Sequence, residues 1–161
     1  MIVVAMSSTV NFEKIFDLSK NQYSWKNDMI IIAGPTCVGK SNIAIGLAKK
    51  INGAIINADS VQVYKDLKLL SARPTIDEME GIPHFLYGYV DRNTSFSVSD
   101  WLLDINSTMA EIEKMKKTPI LVGGSGLYLN AVINGLVPIP SITQETKNEC
   151  LLKFNQVGIK K

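Results

Sequence analysis

Residues 29–41 have the sequence MIIIAGPTCVGKS, in which an apolar run leads directly into the pattern G-x-x-x-x-G-K-[ST]. A continuous apolar run bounded by Gly and Pro is typical of a strand buried on both faces of a parallel sheet. The pattern is that of a P-loop, whose backbone N–H groups surround phosphate oxygens at the start of a helix. This stretch predicts a parallel α/β fold with a phosphate-binding loop, formed by Gly34, Pro35, Thr36, Cys37, Val38, Gly39, Lys40 and Ser41.

A second strand brings an acidic residue to the same end of the sheet. After Lys40, apolar residues recur at helical spacing until the Asn-Gly pair at 52–53 ends the predicted helix. Residues 54–58 (AIINA) form a short strand, whose end delivers Asp59 to the edge at which open α/β sheets bind their ligands. The mixed segment 61–83 favours short helices and loop.

Two further β-loop-α units are predicted in the second half of the chain. Residues 85–90 are a strand candidate, and the helix after them begins with Ser97 and Asp100 in the arrangement of a capping box. Residues 119–122 form another buried strand, which leads through the loop GGSG at 123–126 into the next helix. The first of these helices has an apolar stripe typical of core packing: Val98, Trp101, Leu102, Ile105, Met109, Ile112 and Met115.

The length and composition favour one folded core domain. The chain has 161 residues, of which 46% are hydrophobic and 20% charged, and this excludes disorder or a coiled coil as its dominant character. A net charge of +2 neither demands nor excludes an RNA partner. The two cysteines, Cys37 and Cys150, have no metal-ligand spacing and form no disulfide framework, which favours the cytoplasm.

The polar residues 1–28 are expected to be a poorly ordered N-terminal extension, ahead of a core domain over residues 29–161. The apolar run at 1–6 is too short for a signal peptide or a membrane span, so we expect no targeting segment and no membrane association. Residues 143–154 favour a last helix, with no further strand after it. A sheet that ends in this way looks incomplete.

The chemistry of these segments leaves several roles open. In a P-loop, Lys40 reaches the terminal phosphates and Ser41 offers a hydroxyl to Mg²⁺, whereas Cys37 stands where the pattern tolerates any residue. Asp59 could be an outer ligand of Mg²⁺, a general base, or only the N-cap of the next segment. The loop around Ser125 could bring amides and a hydroxyl to the same edge, although glycine runs also form ordinary turns. The single histidine and both tryptophans are interpreted as structural residues.

Taken together, these motifs resemble the tRNA dimethylallyltransferase family, also called tRNA isopentenyltransferases. The resemblance spans residues 29–137, and the ordered set of motifs is more specific than a P-loop alone. It implies a P-loop NTPase-like, three-layer α/β fold with a parallel sheet. The matching segments are 32–41 (IAGPTCVGKS), 56–65 (INADSVQVYK), 73–75 (RPT), 82–84 (IPH), 96–98 (FSV) and 119–129 (PILVGGSGLYL).

The resemblance implies transfer of the dimethylallyl group from its diphosphate to the exocyclic amine of the adenosine next to the tRNA anticodon, at position 37. The P-loop, Lys40 and Mg²⁺ would hold the departing pyrophosphate, and Asp59 would accept the proton of the amine. The extruded base of the anticodon stem-loop would lie against Ser60, Val61 and Gln62, and Ser125 stands where the family more often has threonine. A cytoplasmic monomer is expected.

Three departures from the family pattern accompany this resemblance. Phe85 follows His84 where a second histidine is frequent, and Cys37-Val38 replaces a pair of small residues. Family members also continue beyond residue 161 with a helical insertion that grips the anticodon arm and a basic segment, so the C-terminal part of the family fold is expected to be missing. Two alternatives remain: an inactive remnant that binds diphosphate or nucleotide, and a P-loop small-molecule kinase that binds ATP. Only two arginines, Arg73 and Arg92, are available for the lid that a kinase needs.

Overall fold

The structure is a computed structural model that describes residues 2–5, 29–137 and 142–158. Its sheet is entirely parallel and has the strand order β1-β2-β5-β3-β4. The strands are β1 (Ile2–Ala5), β2 (Ile30–Ala33), β3 (Gly53–Asn57), β4 (His84–Phe85) and β5 (Thr118–Gly123). The helices are α1 (Lys40–Ile51), α2 (Val98–Lys114), α3 (Gly126–Asn134) and α4 (Gln144–Val157), with a short 3₁₀ helix at Lys65–Leu67. The predicted parallel α/β fold is confirmed.

The sheet separates two hydrophobic clusters, which makes the domain three-layered. Successive residues of a strand point to opposite faces, so Ile55 belongs to the cluster beneath α1 while Ile56 belongs to the cluster beneath α2 and α3. Both side chains are almost completely buried. Burial on both faces explains why β2, β3 and β5 are continuous apolar runs rather than alternating ones.

The local signals of α1 and α2 are confirmed in detail. Helix α1 begins at Lys40, directly after Gly39, and ends at Ile51, followed by the C-cap Asn52 in the left-handed conformation. Helix α2 has the predicted capping box: Ser97 Oγ accepts from Asp100 N at 3.3 Å, and Ser97 N donates to Asp100 Oδ2 at 2.9 Å. The Asp100 carboxylate also accepts from Ser97 Oγ at 2.7 Å, and this hydrogen bond, together with the one from Ser97 N, lowers the pKa of Asp100. Of the predicted apolar stripe, Met115 differs because it lies just past the helix and is exposed.

The strand candidate at residues 85–90 is much shorter than expected. Only His84–Phe85 pairs with β3, after which the backbone turns at Leu86 and Gly88, whose φ angles are 62° and 57°. A positive φ interrupts the pleat, so the chain cannot continue as a regular strand. It pairs once more through an isolated bridge between Val90 and Tyr64.

The ends of the chain differ from expectation in one respect. Ile2–Ala5, within the predicted N-terminal extension, is a strand that pairs in parallel with β2. Residues 6–28, which include Trp25, lie outside the described residues. The last predicted helix is present as α4, whose described side chains are all exposed. Among the described residues, no helix is long and apolar enough to cross a membrane.

Candidate functional site

A cavity of about 520 Å³ lies at the carboxyl ends of the central strands. Parallel strands present their carboxyl ends at one edge of the sheet, so segments distant in sequence meet there. The cavity is lined by the P-loop, by Asp59 and the three residues after it, by Ser71 and Ala72, by Tyr87, and by the loop around Ser125. The structure thus brings together every segment that the sequence nominated for ligand binding.

One side of the cavity is formed by the P-loop and the start of α1. Gly39 has φ 87° and connects the loop to the helix, and no acidic residue lies in the first turn of α1. The free N–H groups and the positive end of the helix dipole therefore face the cavity without neutralisation. Lys40 Nζ donates to Pro35 O at 2.7 Å, which folds the ammonium group back over the loop. A Cβ on Gly124 would lie only 3.0 Å from Gly34 O, so glycine here lets the glycine-rich loop approach the start of the P-loop closely.

Asp59 also lines the cavity and lies two residues beyond the end of β3. Its Oδ1 accepts from the backbone N–H groups of Val61 at 2.8 Å and Gln62 at 3.4 Å. This arrangement is the cap that a structural role predicts. Its Oδ2 accepts no hydrogen bond from the described residues, so one carboxylate oxygen holds the loop and the second is available to a ligand.

Asn57 was not singled out in the sequence, yet it holds the Asp59 loop in place. Its buried side chain accepts from Asp59 N at 2.9 Å and donates to Asp59 O and Leu86 O, both at 3.0 Å. A polar residue inside an apolar strand must satisfy its hydrogen bonds within the protein. A single asparagine within the otherwise apolar stretch AIINA at residues 54–58 could have indicated this role from the sequence.

Ser125 connects the glycine-rich loop to the Asp59 loop. Its Oγ accepts from Ser60 N at 2.8 Å and lies 3.2 Å from Ser60 Oγ, while its own N–H donates to Ala58 O. A side chain on Gly123 would clash with the backbone of Ala58, so only glycine permits this approach of β5 to β3. The hydroxyl of Ser125 is therefore engaged within the protein, and the contact with tRNA stays a prediction.

Val61 and Gln62 form the outer rim of the cavity. The side chain of Val61 is exposed, and Gln62 Nε2 donates to Ser71 O at 2.9 Å. This bond ties the rim to the segment that carries Ser71 and Ala72. Both rim residues follow Asp59 closely in the chain, and their contact with a target base stays a prediction.

The lone histidine and Trp101 have structural contacts. His84 Nδ1 is 2.8 Å from Ile82 O, and partial burial lowers the pKa of its imidazole. Trp101 is fully buried, stacks on Tyr128 with ring centroids 4.2 Å apart, and donates from Nε1 to Asn57 O. Trp101 thus packs in the core, as predicted, and its indole supports the strand that carries Asp59.

A family model described as IPP transferase matches residues 62–160. The tRNA dimethylallyltransferase of Pelagibacter ubique is 52% identical over 136 residues, and that of Agrobacterium fabrum is 42% identical over 134 residues. The chain belongs to the IPP transferase family. The matches cover 84% and 83% of this chain but only 44% and 45% of the relatives, so it spans less than half their length.

Solved structures support the same IPP transferase membership. The full-length tRNA isopentenylpyrophosphate transferase of Bacillus halodurans is similar with a TM-score of 0.67 and 37% identity, over 81% of this chain and 43% of that one. A eukaryotic dimethylallyltransferase acting on tRNA has a TM-score of 0.66 and 35% identity, over 74% of this chain and 31% of that one. These family members share the P-loop NTPase-like fold that the sequence predicted.

The site of this IPP transferase chain could hold Mg²⁺ together with a phosphate-bearing ligand, but its described residues do not form a metal site from protein groups alone. Among the described residues, no cluster of three or more His, Cys, Asp or Glu could hold a metal. Ser41 and Asp59 nevertheless line the same cavity. Mg²⁺ prefers oxygen ligands and commonly uses a few protein groups together with the phosphates of its ligand. The oxygen donors present suit that arrangement.

Proposed function

We propose that this chain carries the donor site and the general base of a tRNA dimethylallyltransferase. The reaction would move the dimethylallyl group from its diphosphate to the exocyclic amine of the adenosine at position 37, beside the anticodon. One observation carries the proposal. The same cavity is lined by a P-loop at a helix N-terminus and by the Asp59 carboxylate, one oxygen of which accepts no hydrogen bond from the described residues. An anion cradle facing a proton acceptor matches the charges that this transfer develops.

The P-loop side would hold the diphosphate of the donor. The N–H groups of residues 36–41 and the Lys40 ammonium would bind its oxygens, with Lys40 leaving its present bond to Pro35 O. As the bond between the allylic carbon and oxygen breaks, negative charge grows on the pyrophosphate and these donors stabilise it. Bound Mg²⁺, held by Ser41 and the diphosphate oxygens, would supply further charge neutralisation.

The Asp59 side would receive the nucleophile. The amine nitrogen forms its bond to the allylic carbon while Asp59 takes the amine proton, so that pyrophosphate leaves and the carboxylate becomes protonated. The adenine must leave its stack to reach this position, and Ser60, Val61 and Gln62 on the rim would contact it there. We expect a cytoplasmic monomer with the tRNA anticodon stem-loop as its partner.

The second candidate is an inactive remnant that binds diphosphate or a nucleotide without turnover. The observation that favours this second candidate is its span of less than half the length of its relatives. Regions of those relatives that the chain does not match could be needed to hold tRNA.

The deciding experiment is transfer of labelled dimethylallyl from its diphosphate to an unmodified anticodon stem-loop, with the purified chain and Mg²⁺. Labelled RNA product supports the transferase. Binding of dimethylallyl diphosphate by a folded chain, without product, supports the remnant. Much tighter binding of ATP than of dimethylallyl diphosphate would contradict the transferase, and turnover of ATP would then distinguish the kinase from a remnant that only binds nucleotide.

A further inference from the structure

Tyr87 lines the cavity, although no sequence motif points to it. It lies two residues beyond β4, whose residues pair with β3 through Ile55↔His84 and Ile56↔Phe85. Because β3 leads to Asp59, this pairing places Tyr87 beside the carboxylate at the same sheet edge. The tyrosine therefore belongs to the wall of the cavity that also contains the P-loop.

The backbone on both sides of Tyr87 is fixed by residues of the site. Leu86 O accepts from Asn57 Nδ2 at 3.0 Å, and Gly88 N donates to Gln62 O at 2.8 Å. Both neighbours have positive φ angles, so Tyr87 sits between two turns that direct it away from the path of the strand. Its ring packs on the cluster beneath α1 and lies 5.5 Å from the His84 ring. The position of the phenol is thus well determined.

The hydroxyl of Tyr87 has no hydrogen-bond partner among the described residues. Tyr89, two residues further on, shows the contrast: its hydroxyl donates to Asp104 Oδ2 at 2.6 Å. A phenol that is largely removed from water normally finds a partner. Burial, and then the negative charge of Asp59, raise the pKa of Tyr87, so this hydroxyl stays protonated and can donate.

We propose that the Tyr87 hydroxyl donates a hydrogen bond to the diphosphate of the prenyl donor. This inference rests on the proposed function and adds to it a donor-binding residue outside the P-loop. The acceptor amine is itself a hydrogen-bond donor and has Asp59 as its partner, whereas diphosphate oxygens only accept. The bond strengthens as charge develops on the departing pyrophosphate.

The test compares Tyr87→Phe with Tyr89→Phe, which removes the same hydroxyl from a residue outside the cavity. Calorimetry with Mg²⁺ measures the affinities for inorganic pyrophosphate and for dimethylallyl diphosphate, and transfer assays measure KM for the anticodon stem-loop. Tyr87→Phe is expected to bind both diphosphates about tenfold more weakly, because a hydrogen bond to a charged group is lost. Its KM for the stem-loop stays unchanged, and Tyr89→Phe keeps the wild-type affinity for both diphosphates.

Wild-type affinity of Tyr87→Phe for both diphosphates would overturn the inference while leaving the proposed function intact. A rise only in KM for the stem-loop would also overturn it, since the hydroxyl would then face the acceptor. If the unaltered chain binds neither diphosphate, the proposed function fails and this inference fails with it. Circular dichroism checks folding, and Tyr87→Met replaces the phenylalanine variant if that variant unfolds.

Discussion

The two sides of the cavity are built in different ways. The P-loop is formed by one continuous stretch of chain, and its internal contact, from Lys40 Nζ to Pro35 O, joins residues five positions apart. The Asp59 loop is held by contacts from three separate segments: Asn57 before it, Ser125 from the loop after β5, and Leu86, which shares the Asn57 side chain. The P-loop side is thus local in sequence, and the Asp59 side depends on the assembled sheet.

The largest effect is expected from Asp59→Asn, which should reduce transfer but not the binding of pyrophosphate. Asp59→Asn keeps the shape of the side chain and removes the proton acceptor, so transfer to the stem-loop should fall by about 100- to 10,000-fold. Affinity for pyrophosphate should stay within a factor of about two, because the P-loop is untouched. Single-turnover transfer and calorimetry measure the two quantities. A parallel loss of pyrophosphate affinity would refute the assignment of Asp59 as the base.

Lys40→Met should affect both binding and transfer. The variant keeps a long apolar stem but loses the ammonium, and we expect about 10- to 100-fold weaker binding of pyrophosphate. The matched control is Lys50→Met on the exposed side of α1, which lies outside the cavity and should leave the affinity unchanged. Equal affinities of the two variants would remove Lys40 from the donor site.

Asn57→Ala tests whether the Asp59 loop depends on the sheet. Removing the side chain leaves the hydrogen bonds of Asp59 N, Asp59 O and Leu86 O unmade, so the free energy of unfolding should fall by about 2 to 3 kcal/mol. Transfer should drop about tenfold because the base is less well positioned. Urea unfolding and transfer assays at a temperature where the variant is folded measure both. Unchanged transfer would show that the loop holds its shape without Asn57.

Ser125→Ala should have the smallest effect. It removes one hydrogen bond between loops, worth about 1 kcal/mol, and we expect transfer to fall by about threefold to fivefold. Ser125→Thr keeps the hydroxyl and should restore the wild-type rate. If Thr fails where Ser succeeds, the space around the loop, rather than its hydroxyl, decides the rate.

Prediction from sequence succeeded where the signal is local. The helix after Lys40, the buried strands and the capping box at Ser97 and Asp100 all depend on residues within a few positions of one another. It failed for the strand candidate at residues 85–90, because the turns at Leu86 and Gly88 are held by Asn57 and Gln62, more than 20 residues earlier. Strand propensity at Phe85–Val90 carries no information about those partners.

For the candidate site, too, the local features could be predicted from the sequence and the contacts between distant segments could not. The sequence alone determined the P-loop, the parallel α/β class and the arrival of Asp59 at a strand end, because glycine spacing and apolar runs are local properties. Only the tertiary structure decided that β5 lies between β2 and β3, that Ser125 braces the Asp59 loop, and that Tyr87 enters the cavity. These features arise from hydrogen bonds and packing between segments that are far apart in the chain. Those segments meet only once the strands have assembled in the order that the sheet has.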